Sequence, residues 1–274
     1  MVIHAYTKRS VREGVNSEVM AMVDGMRRHG VNVEMRLVKD AERCDVAVMW
    51  GVKKAAIRTA ASRSLILERG YVGDRFHFTS VGWDGLNGLA WRPEGMPGDR
   101  WGRYFADRMK PWREARGKYV LVMGQVPGDA SLRGMDTHQW AFRVVQALKA
   151  ARLEARVRRH LKDPTPSVRM SRRLADARRA YYETRPWEDA LADAAWVVAY
   201  NSNSAVESVL DGVPTVTLDR GTMAYPVTDH DPVKAPTAHD RTQWAHDLAY
   251  AQWTIDEMAS GDAWDYIKGG LDRG

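Results

Sequence analysis

One cysteine, Cys44, in 274 residues leaves the chain without an internal disulfide, so no oxidising compartment is needed to hold it together. No apolar run reaches the ~18–20 residues that a spanning helix requires. The opening residues Met1 to Tyr6 read straight into a strand without a charged leader. These absences predict a soluble, cytoplasmic protein with no membrane partner. Chemical signatures are missing too. There is no Walker loop, no G-x-G-x-x-G after a strand, no H-E-x-x-H and no C-x-x-C. Gly-x-Ser-x-Gly is absent, which weakens a hydrolase reading. His138, His230, His239 and His246 lack zinc spacing. Asp229-His-Asp231 is spaced like a metal-binding carboxylate pair but sits in a Pro-rich loop, so no metal site is expected.

What is present is the balance of a globular protein with a sizeable core, 45% hydrophobic and 28% charged. The length suits two small α/β lobes or one large domain. The formal charge is +6, with a pI near 9.4, and the excess is unevenly placed. Arg143 to Arg179 holds twelve basic residues against three acidic ones, whereas from Asp229 to the end nine acids face four bases. A concentrated basic segment suits a polyanion, either nucleic acid or nucleotide phosphates. A solvated, Arg-rich helical face reads the same way.

The hydrophobic pattern alternates between strand and helix periods. Strands are expected at Val2–Tyr6, Val31–Val38, Asp45–Trp50 and Ser64–Glu68, with helices at Asn16–Arg28 and Lys53–Ala61. Residues 69–117 are rich in Gly, Trp, Asp, Arg and Pro and read as an ordered loop region followed by a connector. The pattern then restarts with strands at Tyr119–Met123, Ala155–Arg158, Ala195–Tyr200 and Pro214–Leu218. Helices are expected at Trp140–Ala151, roughly 167–183, 187–194, Ser204–Leu210 and Arg241–Met258. The architecture this predicts is α/β, with two successive units and a cleft between them. The expected boundaries are 1–115 for an acceptor lobe, 116–240 for a donor lobe, and 241–274 for a C-terminal helix packing back towards the first lobe.

Three segments carry the chemistry. In Asn201-Ser202-Asn203-Ser204…Glu207 a buried strand runs through a polar turn into a helix. Ser204 and Glu207 have capping-box spacing, and the same helix start offers N–H groups and side-chain donors to a phosphate, with Glu207 placed for ribose hydroxyls. Second, the strand Ala155–Arg158 runs into a cationic end, Arg158-Arg-His160, suited to charge on a departing diphosphate. The third segment is Glu68-Arg-Gly-Tyr71-Val-Gly-Asp74-Arg75 followed by Gly82-Trp83-Asp84-Gly-Leu-Asn87-Gly88. A carboxylate at the tip of an apolar strand, Glu68 first and Asp74 second, is a candidate general base. Trp83, Trp91 and Trp101 are candidates for stacking on a base or a sugar.

These segments resemble the motifs of capsular-polysaccharide-synthesis glycosyltransferases. Glu68-x-Gly70-Tyr71 with Gly85-Leu-Asn87-Gly88 is similar to their acceptor-domain motif, and Gln125-Val-Pro-Gly-Asp129-Ala-Ser131 to the loop opening their second domain. Arg158-Arg-His160 is similar to their strand-terminal basic-His motif, and Asn201–Pro214 to their nucleotide-binding turn and helix. Two positions depart: Glu68-Arg69 stands where Kdo-transferring members often carry Glu-Asp, and His160-Leu161 where they carry His-Pro. The compact, Arg-rich chain also resembles phage enzymes that place sugars on hydroxymethylated pyrimidines of DNA. The resemblance implies GT-B, two Rossmann-like lobes facing each other across a cleft. It further implies a nucleotide-sugar co-substrate, UDP-glucose-like, with no required cofactor or metal, and DNA as acceptor in the host cytoplasm. Gln125, Arg158, His160, Asn201–Ser204 and Glu207 would bind the donor. Tyr71, Arg75, Trp83, Asp84 and Asn87 would bind the acceptor. The alternatives are a surface-polysaccharide transferase, a non-catalytic nucleic-acid-binding protein, and a sugar epimerase of the same fold.

Overall fold

The computed structural model of the protein describes residues 1–8, 16–113, 117–164 and 180–272. The chain divides into two compact units, Met1–Phe105 with Thr242–Gly274, and Ala106–Arg241.

The first unit begins with β1 (Ile3–Thr7), α1 (Ser17–Arg28), β2 (Glu34–Leu37), β3 (Cys44–Trp50), α2 (Ala55–Ala60), β4 (Ala61–Arg69), β5 (Thr79–Trp83) and α3 (Asp99–Phe105). α1 starts where the Asn16 side chain accepts the Glu18 and Val19 N–H groups, both at 3.0 Å, a cap of the usual kind. Its Val19, Met22, Val23 and Met26 are buried against the sheet. β1 to β4 are parallel, in the spatial order β4-β3-β1-β2. The sheet therefore changes winding direction between β1 and β3, and ligands of open α/β sheets collect outside the carboxyl ends of such a pair.

Residues 69–117 differ from the expected loop and connector, because they contain β5 and α3. β5 runs antiparallel to β4, from Arg69 opposite Thr79 to Leu65 opposite Trp83. All five of its residues are buried, so no alternating pattern marks it, and Thr79, Ser80 and Gly82 dilute its apolarity. Gly82 is required there, since a Cβ would lie 2.6 Å from the Ala90 Cβ.

The second unit is a parallel sheet of β6 (Tyr119–Met123), β7 (Ala155–Arg158), β8 (Ala180–Tyr182), β9 (Ala194–Ala199) and β10 (Thr215–Thr217), ordered β10-β9-β6-β7-β8. With it come α4 (Thr137–Ala150), α5 (Trp187–Asp193) and α6 (Ser204–Leu210). The strands are short apolar runs, as expected of strands covered on both faces, and Val122, Val157, Val198 and Val216 share one core with Trp140, Val145 and Leu148. The helix expected over roughly 167–183 falls mostly outside the described residues. Its last part, Ala180–Tyr182, is strand, paired with β7. This sheet reverses winding between β6 and β9.

The C-terminal stretch is not one helix over Arg241–Met258. It forms α7 (Thr242–Tyr250), the short strand β11 (Gln252–Trp253), α8 (Ile255–Ser260) and α9 (Asp262–Ile267). β11 covers the open edge of β5, pairing Gln252 with Ser80 and Trp253 with Thr79, and an uncovered edge is what sheets avoid. The capping box expected at Ser204/Glu207 is found here instead: Thr254 accepts the Glu257 N–H at 3.2 Å, and Glu257 accepts the Thr254 N–H at 3.0 Å.

Candidate functional site

Parallel strands in register end in a row. In the second unit Met123 lies beside Arg158, Val122 beside Val198, and Ala199 beside Thr217. Two residues beyond these strand ends stand Gln125, His160, Asn201 and Asp219, all at the carboxyl edge of the sheet. Gln125 and Asn201 follow the two strands that flank the winding reversal, and only 8% and 4% of each is exposed. Their amide orientations are fixed by their neighbours. Asn201 Nδ2 donates to the Ser131 carbonyl and to Asp219 Oδ1, each at 3.0 Å. Gln125 Nε2 donates to Ser131 Oγ at 2.8 Å, and that hydroxyl donates to Asp129 at 2.7 Å. Gln125 Oε1 and Asn201 Oδ1 are left buried without a partner among the described residues, an expensive arrangement for a polar atom. Asn201 therefore offers an acceptor to a ligand. The expected donation from its side chain to phosphate is corrected, because both amide hydrogens already point into the protein.

Ser204 is the first residue of α6, and the Ser202 hydroxyl does the capping, accepting the Ser204 N–H at 3.3 Å and the Ser204 hydroxyl at 2.8 Å. Asn203 is the N-cap residue by position, with helical backbone angles and no side-chain cap bond. Glu207, expected near ribose hydroxyls, is ion-paired with Arg108, which also reaches Asp211 at 3.1 Å. Arg158 donates to the Arg185 carbonyl at 2.6 Å, and His160 Nδ1 accepts the Lys162 N–H at 3.0 Å. Of the basic stretch, Arg169, Arg172, Arg173, Arg178 and Arg179 lie outside the described residues.

In the first unit Glu68 stands at the carboxyl end of β4, half-buried, with its Oε1 accepting the Arg69 N–H at 3.2 Å. Gly51, at φ +65° just past β3, leaves room beside it, since a Cβ there would lie 3.3 Å from Glu68 Oε2. Lys54 donates to the Trp50 carbonyl at 3.1 Å. Burial lowers the Lys54 pKa and Lys8 pushes it the same way, while Glu68 opposes both. Asp74 is exposed and holds its own turn, accepting the Phe76 N–H at 2.8 Å. Tyr71 is buried, its hydroxyl 3.0 Å from Arg92 Nη2, and Arg75 donates to the Gly70 carbonyl at 2.7 Å.

Trp83, Asp84 and Asn87 are not brought to Glu68. Because β5 is antiparallel to β4, Trp83 and Asp84 lie beside Leu65 and Ser64, ~10 and ~13 Å along β4 from Glu68 at ~3.3 Å per residue. Asp84 is bound there by Arg63 at 2.7 Å and by the Ser64 N–H at 2.7 Å. Trp83 is fully buried and donates to the Ile267 carbonyl at 2.9 Å, and Trp101 is buried against Phe105. Neither ring has a face open for stacking on a ligand. The Asn87 carbonyl accepts from Arg92 at 2.6 Å.

Among the described residues, no three His, Cys, Asp or Glu side chains are grouped to hold a metal ion, and no helix is long and apolar enough to cross a membrane. No protein-family model and no curated protein matches the chain. Solved structures do, and two of them align over nearly their whole length. The β-Kdo 2,7 transferase of Thermosulfurimonas dismutans KpsC aligns with a TM-score of 0.53 at 14% identity, over 96% of this chain and 99% of that one. The β-Kdo 2,4 transferase of the same protein aligns with a TM-score of 0.54 at 17% identity, over 91% and 90%. The fold is GT-B.

In this GT-B chain Asp219 and Arg133 escaped the sequence reading. Asp219 has the same signal as Asn201, a polar residue two positions past an apolar strand. Arg133 pairs with it at 2.5 Å. That contact joins residues 86 positions apart, and no local pattern announces it.

Proposed function

We propose that the protein is a nucleotide-sugar-dependent glycosyltransferase whose acceptor is the hydroxyl of a hydroxymethylated pyrimidine in DNA. One observation carries the transferase reading: on a GT-B fold, the winding reversal between β6 and β9 presents two buried amide oxygens, Gln125 Oε1 and Asn201 Oδ1, without a partner among the described residues. Such acceptors suit hydroxyls or N–H groups of a nucleotide sugar, UDP-glucose being the donor we favour. Phosphate would then fall to the Ser202–Ser204 turn and to His160. Glu68 takes the proton of the acceptor hydroxyl as that oxygen bonds to the anomeric carbon and the bond to the diphosphate breaks. His160 and Arg158 steady the departing charge, so a metal is not obligatory. The excess of basic residues, +6 overall, supports a polyanionic acceptor. A surface-polysaccharide acceptor is the second reading, favoured by the two similar structures being Kdo transferases.

The test incubates the protein with a panel of nucleotide sugars and DNA containing thymine, hydroxymethyluracil or hydroxymethylcytosine, then weighs the digested nucleosides. A sugar mass on a hydroxymethylated nucleoside alone is expected. Donor hydrolysis or donor-induced thermal stabilisation without DNA labelling moves the acceptor to a glycan. No response to any donor removes the transferase reading. Glu68→Gln is expected to keep donor-induced stabilisation and lose at least ~100-fold in transfer rate; near-normal turnover removes Glu68 as the base.

A further inference from the structure

The turn between β4 and β5 is closed on itself. Gly70 N–H donates to the Phe78 carbonyl at 2.9 Å, and His77 and Phe78 donate to the Asp74 carbonyl at 3.0 and 3.2 Å. Asp74 also holds the Phe76 N–H, and Phe78 anchors the base of the turn against Tyr104 and Phe105 at 5.4 and 5.2 Å between ring centroids. This well-bonded turn carries Phe76 at its tip, 76% exposed, between exposed Arg75 and His77. An exposed phenylalanine standing alone needs no explanation, but this one is mounted. The Arg69 guanidinium lies 4.7 Å from its ring centroid and 5.0 Å from that of Trp50. Glu18 fixes Arg69 from the side at 3.3 Å. A ladder of Trp50, Arg69 and Phe76 thus stands next to Glu68, with the Phe76 end exposed.

Cations frame the ladder. Arg69 lies against the ring of Phe76, Arg75 precedes it in the turn, and Lys54 reaches the Trp50 carbonyl at 3.1 Å. The carboxylates on the same edge are Glu18, Glu68 and Asp74. An aromatic face among cations is how unpaired nucleic acid is held, the ring taking the base and the cations the phosphates. A base inside a duplex has both faces covered, so such a platform serves only an extruded or single-stranded one. We propose that the outer face of Phe76 stacks an unpaired base of the acceptor DNA beside Glu68, an inference that rests on the DNA reading above.

The experiment is fluorescence anisotropy at fixed salt, with the full chain and labelled thymidine oligomers, against abasic oligomers of the same length. Phe76→Ala and Phe76→Leu are expected to weaken thymidine binding about 5- to 100-fold while leaving abasic binding unchanged, and Phe76→Trp to keep it. Equal affinity of wild type and Phe76→Ala for the thymidine oligomer overturns the stacking role alone. An equal loss on the abasic oligomer also overturns it, since the contact is then to the backbone. A wild-type chain that binds neither oligomer overturns the DNA reading and the stacking role together.

Discussion

Asn201 has hydrogen-bonding capacity on both ends of its amide, and the fold uses the nitrogen end. With Nδ2 held by Ser131 and Asp219 at 3.0 Å, Asn201→Asp would replace a donor by a second carboxylate facing Asp219. Two carboxylates that close cannot both ionise cheaply, so one pKa rises. A raised carboxyl pKa destabilises the fold above it and is relieved as pH falls. The expected cost is about 2–3 kcal/mol at pH 8 and less at pH 4.5, read from denaturant midpoints at the two pH values. A cost that does not shrink in acid removes the charge argument. The position of Asn201 was legible from sequence as the second residue past an apolar strand. Its orientation was not, because it depends on Ser131 and Asp219, which only folding brings near.

The strand ends of the second unit are tied by one carboxylate. Glu183, with 3% of its side chain exposed, accepts from Arg185 Nη2 at 2.8 Å, Arg156 Nη1 at 3.2 Å and the Tyr119 hydroxyl at 3.0 Å, joining the elements that hold β6 and β7. The Arg185 bonds hold the Glu183 carboxyl far below the usual carboxylate range against the opposing effect of burial. Burial, reinforced by Glu183, pushes the Tyr119 hydroxyl up to about 12. A depressed folded pKa stabilises above the unfolded value, near 4.5, and is lost as pH falls through the folded one. Stability of the wild type should therefore fall below pH ~4.5, and Glu183→Gln should flatten that fall. The same variant should lose about 2 kcal/mol at pH 7, because it weakens the charged hydrogen bonds from Arg156, Arg185 and Tyr119 while Glu154 and Asp193 still pair with the arginines. A wild-type acid profile in the variant argues against this coupling. In the first unit the contact of α1 with α8 depends on Gly25, where a Cβ would overlap the Met258 carbonyl oxygen. Gly25→Ala gains local helix propensity of ~1 kcal/mol but must push the helices apart, so a net loss of about 2 kcal/mol is expected. A thermal midpoint at or above wild type overturns that account. α1 itself, with its cap and apolar face, was readable from residues 16–30; its glycine's partner was not.

At the scale of the whole chain, the first unit is completed by residues that follow the second in sequence. Trp253, Met258, Trp264 and Ile267 are buried in the same core as Val48, Leu67 and Trp83, and the Gln252 oxygen accepts the Tyr71 and Val72 N–H groups at 2.5 and 3.0 Å. A chain ending at Arg241 is expected to lose hydrogen-exchange protection in β4 and β5, while β6 and β9 keep theirs. Native-like protection in β5 of the shortened chain contradicts this. The sequence by itself determined α1, α4, α6 and the parallel strands of both sheets other than β8, because period, capping and apolar runs are local properties that a buried strand or an amphipathic helix must display. It also marked Glu68 at the end of β4 and His160 and Asn201 just past β7 and β9, since the carboxyl end of a parallel strand lies at one edge of the sheet whatever surrounds it, whereas Gln125 was marked only by the resemblance. Only the tertiary structure decided that 79–83 is a strand, that the C-terminal stretch breaks into β11 between two helices, and that Trp83 and Asp84 serve the core end of β4 rather than Glu68. Each of those outcomes is a pairing between distant segments, with its free energy in burial and hydrogen bonds that neither segment has alone.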